Sequence, residues 1–235
     1  DVYKRQMYNI QHTVTPNNGM LEVKLECIRP DMEIHYTTDG SEPTATSPLY
    51  EKIVPVKEAL TLKGAIFAHG RQMGKTLILP VRWNLATAKP VLGTNPTEKL
   101  LTNGIRGSLK YSDFEWCSWA DNDSVSFTID LLKPEMLNTL TLGCITNNGM
   151  AIHKPASVRV EVSDDNSKFR EAVVQSFTSE EIFREGNFIE NLSLKLGGTQ
   201  ARYVRVTAKG PGVCPASHVR PGQTSRIFFD EVMLE

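Results

Sequence analysis

The adjacent carboxylates Asp230 and Glu231 come closest, by residue type, to an acid–base pair. Hydrolysis by paired acids needs two carboxyl groups aimed at one bond. Here the pair interrupts an apolar run of Phe229, Val232 and Leu234 that reads as a strand, and strand alternation sends neighbours to opposite faces. Asp164-Asp165 falls in a turn-forming Asp-Asp-Asn segment. The sequence holds no nucleophile elbow, phosphate-binding glycine loop or His-Glu-x-x-His metal motif. Catalysis within these residues is therefore not expected.

A second set of residues suits binding. Tyr111, Phe114, Trp116 and Trp119 lie close together in a polar stretch, and Asn147, Asn148, His153 and Arg220 lie in other candidate loops. An aromatic face with a few fixed donors and acceptors is the make-up of a site for a sugar ring. Each residue also has a plainer reading. Trp119, just before the strand at Val125, fits a core position, Trp116 can pack beneath the same loop, and His153 can serve a loop carbonyl. Arg220 can pair with a nearby acid at little gain. The four cysteines, Cys27, Cys117, Cys144 and Cys214, lack Cys-x-x-Cys spacing and clustered histidines, which argues against zinc. Buried thiols are the first reading and a disulfide within the second half the alternative.

The elements that must position these residues are strands. Leu21, Val23, Leu25 and Cys27 alternate with Glu22, Lys24 and Glu26; Ile34 and Tyr36 continue the pattern. Leu60, Leu62 and Ile66 form another run, and Leu77, Leu79 and Val81 a last one, where Pro80 marks an edge. The second half repeats the alternation in Val125-Phe127-Ile129, Val158-Val160-Val162, Val204-Val206, Ile227-Phe229 and Val232-Leu234. Glu180–Glu185 allows one helical turn capped by Thr178 or Ser179. The spacing predicts an all-β chain: a small sandwich over residues 7–85, a proline-punctuated linker over 86–96, and a jelly roll over 97–235.

Charge narrows the partners. The chain carries 26 Lys+Arg and 27 Asp+Glu, and its halves, split at Pro90, sum to +2 and −3. No basic face exists for nucleic acid. No apolar run approaches the roughly 20 residues of a transmembrane segment. The charged start Asp1–Gln6 reads as a truncation rather than a signal peptide and stands outside the fold argument.

Two resemblances follow from longer motifs. Ile34-His-Tyr-Thr-Thr-Asp-Gly-Ser-Glu-Pro-Thr44 with Ser47-Pro-Leu-Tyr50 resembles the Ig-like β-sandwich behind the catalytic domains of chitobiases and β-hexosaminidases. Leu101–Gly104, Trp116–Trp119, Val125–Leu131, Val158–Asp165, Ala201–Val206 and Phe229–Glu235, in that order, resemble a discoidin or coagulation-factor C-type domain, the galactose-binding-like fold of family 32 carbohydrate-binding modules. The tandem resembles the C-terminal region of family 20 β-N-acetylhexosaminidases of Bacteroidetes, and Ala208–Pro215 with His218–Gly222 adds to the match.

The second resemblance implies one structural Ca²⁺, held here by Asn103, the backbone carbonyl of Arg106, Ser108 and Glu231. Hard oxygens suit that ion, and Asn103 in place of an aspartate removes one charge from the site. It also implies a glycan site, for which Tyr111, Trp116, Asn148, His153 and Arg220 are the candidates. The expected partners are glycans ending in N-acetylglucosamine or galactose and a catalytic domain that would precede this chain in a periplasmic, surface or secreted hydrolase. A purely structural buttress, an adhesion or protein-binding module, and the tail of another exo-glycosidase such as a fucosidase or galactosidase are the alternatives.

Overall fold

The computed structural model describes residues 7–29, 31–119 and 124–235; the excluded start lies outside them. The chain divides into two compact units, Asp1–Trp83 and Asn84–Glu235. Among the described residues nearly all regular structure is β, and no helix is long and apolar enough to cross a membrane.

The first unit contains β1 (Ile10–Asn17), β2 (Met20–Cys27), β3 (Glu33–Thr37), β4 (Val54–Val56), β5 (Leu60–Ala68) and β6 (Arg71–Val81). They form two three-stranded antiparallel sheets, ordered β1-β2-β4 and β3-β5-β6, in a small Ig-like sandwich. Leu21, Val23 and Leu25 bury one face of β2 while Lys24 and Glu26 face water. Pro80 lies in β6, an edge strand, where its missing N–H costs no ladder bond. The Asp-Gly turn behind β3 closes locally: Asp39 Oδ1 accepts from the Ser41 backbone N–H and hydroxyl, at 3.0 and 2.6 Å.

The second unit contains β7 (Val91–Leu92), β8 (Cys117–Trp119), β9 (Ser124–Asn147), β10 (Ser157–Ser163), β11 (Arg170–Ser176), β12 (Asn187–Lys209) and β13 (Ile227–Leu234). Its jelly roll is built on two long strands, β9 and β12, paired antiparallel from Asn147↔Asn187 to Ser124↔Lys209. The pairing slips between Lys195 and Thr199 and again between Ala201 and Tyr203, where Gly197, Gly198 and Leu132 take positive φ. Irregularities of this kind bend strands, so β9 and β12 pass from one layer into the other. The core between the layers holds Phe127, Ile129, Leu140, Leu142, Val158, Val160, Val204, Val206, Phe229 and Val232. Trp119 stacks on Phe127 and meets Phe229 edge-on, the core position expected of it. One helical turn, α1 (Ser179–Ile182), is capped by Thr178 in a full capping box with Glu181.

The stretch 86–96 is not a free linker. Ala86 and Ala88 are fully buried, the Leu85 N–H donates to the Leu234 carbonyl, the Ala88 N–H donates to the Thr102 carbonyl, and β7 pairs with β9. Asn84 Oδ1 accepts from the Ala86 and Leu234 N–H groups. Small side chains let this segment pack closely against the second unit. The same smallness gives it a linker-like composition, and the division between units falls at Trp83/Asn84 instead.

Candidate functional site

Three loops of the second unit converge on one pocket. The loop after β9 is closed by reciprocal backbone bonds between Asn147 and Ile152, with Ala151 in a left-handed conformation and Asn147 Oδ1 accepting from the Met150 N–H. The His153 N–H donates to the Arg226 carbonyl. The 212–225 loop is tied by Cys214 N–H to Gln223 carbonyl, Gly222 N–H to Cys214 carbonyl and Ser225 N–H to Gly212 carbonyl. The third loop is α1 with Phe183 at its end. A cavity of about 440 Å³ opens between them, and Asn148, Phe183, Arg184, Glu185, Ser217 and His218 are among its lining residues.

His218 organises the polar side. Its Nδ1 accepts from the Arg220 backbone N–H at 3.0 Å, so in the neutral ring the proton belongs on Nε2. That Nε2 lies 3.1 Å from His153 Nε2 and 3.3 Å from the Asn148 amide. His153 is fully buried, and its pKa falls from 6.5 to about 4. Desolvation is the main cause and His218 adds to it, while a backbone contact to Ile182 works in the opposite direction. Phe183 presses its ring edge-on to both imidazoles, with centroids 5.1 and 6.2 Å away. Arg184 and Glu185 are exposed and bring both signs of charge to the rim.

Of the sequence candidates for a sugar site, Asn148 lines this pocket, and Arg220 supports it through its backbone while its side chain reaches Gln223. His153 lies beneath, at the back of His218. Trp116 is not an open platform: it is buried with Ile145, Ile152 and Phe228, and its indole N–H donates to the Ser108 carbonyl. Gly107 permits this, since a Cβ there would overlap the indole ring. Tyr111 packs on the same cluster, edge-on to Phe228. Phe114, by contrast, is 89 % exposed at positive φ. Phe183, Ser217 and His218 were not singled out as site residues by the sequence, although capping at Thr178 foretold the helical turn that presents Phe183.

The residues implied for calcium sit around the end of the Glu98–Thr102 3₁₀ turn and in β13. Asn103 and Glu231 are buried. Asn103 Oδ1 accepts from the Ile105 N–H and its amide donates to Glu115 Oε2. Arg106 turns its guanidinium to Asp230 at 2.6 Å, leaving its carbonyl as the possible ligand. Ser108 is exposed, and its Oγ accepts from the Lys110 N–H. The donor set is all oxygen, which fits a hard cation.

Asp230 and Glu231 are both fully buried in a register irregularity between Phe229 and Val232, so strict alternation does not hold there. Asp230 is committed to Arg106 and to the Gly107 N–H at 3.0 Å. Burial raises its carboxyl pKa against the opposing pull of Arg106. A carboxylate so placed has no access to a substrate.

Residues 86–219, more than half the chain, match the F5/8 type C domain model. The chain belongs to that family. Residues 16–77 match the chitobiase/beta-hexosaminidase C-terminal domain model, so this F5/8 type C domain follows a second module of known type. Similar solved structures include CpGH89CBM32-6 produced by Clostridium perfringens, at 18% identity and TM-score 0.42 over 65% of this chain and 98% of that one. A Streptococcus pneumoniae fucose binding module is 17% identical at TM-score 0.40, covering 65% of this chain and 97% of that one. The C-terminal domain of a chitobiase from Bacteroides fragilis is 16% identical at TM-score 0.34, covering 56% and 76%. No curated protein matches the chain.

Proposed function

We propose that this chain is the non-catalytic tail of a secreted or surface-bound glycoside hydrolase, of the family 20 β-N-acetylhexosaminidase type found in Bacteroidetes, and that its F5/8 type C domain binds glycan. The observation that carries this reading is the order of the two modules: a chitobiase/beta-hexosaminidase C-terminal match directly before an F5/8 type C match. The loop pocket supports it. Phe183 offers an aromatic ring, and Asn148 and Ser217 offer an amide and a hydroxyl. Arg184 and Glu185 add groups able to reach ring hydroxyls. The buried, committed state of Asp230 supports the absence of hydrolysis within this part. Tethering such a module to a catalytic domain raises the local concentration of substrate without new chemistry.

The same reading includes one Ca²⁺ held by Asn103, the Arg106 carbonyl, Ser108 and Glu231. The ion would cross-link the loop after the 3₁₀ turn to β13 and stiffen that end of the domain. The preferred sugars are N-acetylglucosamine and galactose at glycan ends.

A glycan array probed with the purified chain in calcium, then in chelator, tests both parts. Binding to N-acetylglucosamine- or galactose-terminated glycans, lowered about tenfold or more by Phe183→Ala, is expected from the loss of one aromatic contact of about 1.4 kcal/mol. Chelation should weaken the binding. Silence across the array in both buffers would refute glycan binding and leave a buttress for the catalytic domain.

A further inference from the structure

His153, Cys214 and His218 come from two loops separated by more than 60 positions in sequence, yet each offers one donor atom and the three donors lie within 4.8 Å of one another. All three residues are buried. The two imidazoles face each other through Nε2 at 3.1 Å, close to the separation of two nitrogens that share one tetrahedral ion with bonds of about 2.0–2.1 Å. We propose that His153, Cys214 and His218 form a binding site for one divalent transition-metal ion of the zinc class, beside the pocket that His218 lines.

Several features support these donors. Two imidazoles and one thiolate are borderline-to-soft ligands, which select zinc-class ions over calcium or magnesium. His153 turns its Nε2 towards His218, so this is the ring nitrogen placed to bond a metal. The Cys214 sulfur lies 3.4 Å from the Ser225 hydroxyl. Both loops are fixed by backbone bonds, at Asn147/Ile152 and at Cys214/Gln223, so the donors are brought together before any ion arrives. Three protein donors leave a fourth position for water or a pocket ligand, as in open zinc sites.

The structure also defines what loading requires. In the ion-free form the Nε2 proton of His218 occupies the space between the rings, because Arg220 N–H holds Nδ1 as an acceptor. On uptake the Cys214 thiol gives its proton to solvent and a sulfur–metal bond forms. The His218 proton moves to Nδ1, Nε2 bonds the ion, and the Arg220 N–H contact is released. The metal stays divalent and no electrons move. The 215–223 loop must therefore shift slightly, and one proton leaves the protein per ion bound.

Cobalt(II) titration of the reduced chain tests this directly. The expected result is saturation at one equivalent, with tetrahedral visible bands and a near-ultraviolet thiolate band, all displaced by Zn²⁺. Cys214→Ser and His153→Gln should each weaken binding by more than about 10-fold, the size of effect that even an outer partner of a metal site produces. Cys27→Ser should leave it unchanged. The absence of a thiolate band, or a band that survives Cys214→Ser, overturns the proposal. Should either variant fail to fold, X-ray absorption of the zinc-loaded wild-type chain decides: one sulfur at about 2.3 Å with two nitrogens at about 2.0–2.1 Å supports the site, and a shell without sulfur refutes it.

Discussion

Replacing Asp230 by alanine should destabilise the F5/8 type C domain by about 3 kcal/mol. Asp230 is fully buried and accepts from Arg106 Nε at 2.6 Å and from the Gly107 N–H at 3.0 Å. Breaking a buried ion pair by removing one partner costs roughly 3–5 kcal/mol, because the remaining charge stays out of water. Arg106 lowers that figure. Its side chain is 17% exposed and Nη2 keeps a 2.9 Å bond to Asn191, so the guanidinium retains some solvation and one partner. The stranded Gly107 N–H adds about 1 kcal/mol or more. Asp230→Asn should cost less, since an amide oxygen still accepts from Gly107 and no buried carboxylate needs compensation. Urea unfolding followed by tryptophan fluorescence is the assay, with the midpoint falling and the slope unchanged. A loss below about 1 kcal/mol for the alanine variant, or a larger loss for asparagine than for alanine, would refute the reasoning. Gly143→Ala probes the same pair independently, because a Cβ there would overlap Asp230 Oδ1 and crowd Arg106.

Gly107→Ala should cost about 1–3 kcal/mol and shift tryptophan emission to the red, as the added Cβ displaces the buried Trp116 ring. For His153, the unfolded chain binds a proton near pH 6.5 and the folded chain only near pH 4, so the folded state holds fewer protons in between and stability falls as pH drops through that window. The fall amounts to about 3 kcal/mol, read as the difference between wild type and His153→Gln in unfolding series at pH 7 and pH 4, with His218 and Cys214 as the titratable neighbours common to both; equal pH dependence would refute it. Burial raises the Cys117 thiol to about 12 and pushes Cys144 up as well, so a thiol reagent at pH 8 should label half-buried Cys27 first and reach Cys117 and Cys144 only on unfolding.

Much of the architecture was legible in the sequence because period-two alternation and burial are the same fact seen twice. Val125, Phe127 and Ile129 were expected inside and are inside, as are Val158, Val160 and Val162. Thr178, one of the two caps the sequence offered for the helical turn, closes a full capping box with Glu181. Segment 86–96 was misread because alanine, threonine and proline serve equally in a flexible connector and in a tightly packed entry strand. The aromatic candidates fared unevenly for a related reason. Trp116 and Phe114 lie two residues apart in one polar stretch, yet Trp116 goes under the loop, where Gly107 leaves room for its ring, and Phe114 stays in water.

The sequence by itself determined an all-β chain, its two module types and its near-neutral surface, since these depend on local periodicity, turn residues and charge count. Tertiary structure alone decided the rest. It brought His153, Cys214 and His218 within bonding reach, although their spacing in sequence gave no metal pattern. It set Phe183 and His218 at the mouth of one pocket, and it turned Asp230 away from chemistry by giving it to Arg106, more than 100 residues earlier. Such contacts are fixed by how the β9 and β12 strands bend and which loops that bending brings together, and no local window of sequence carries that information.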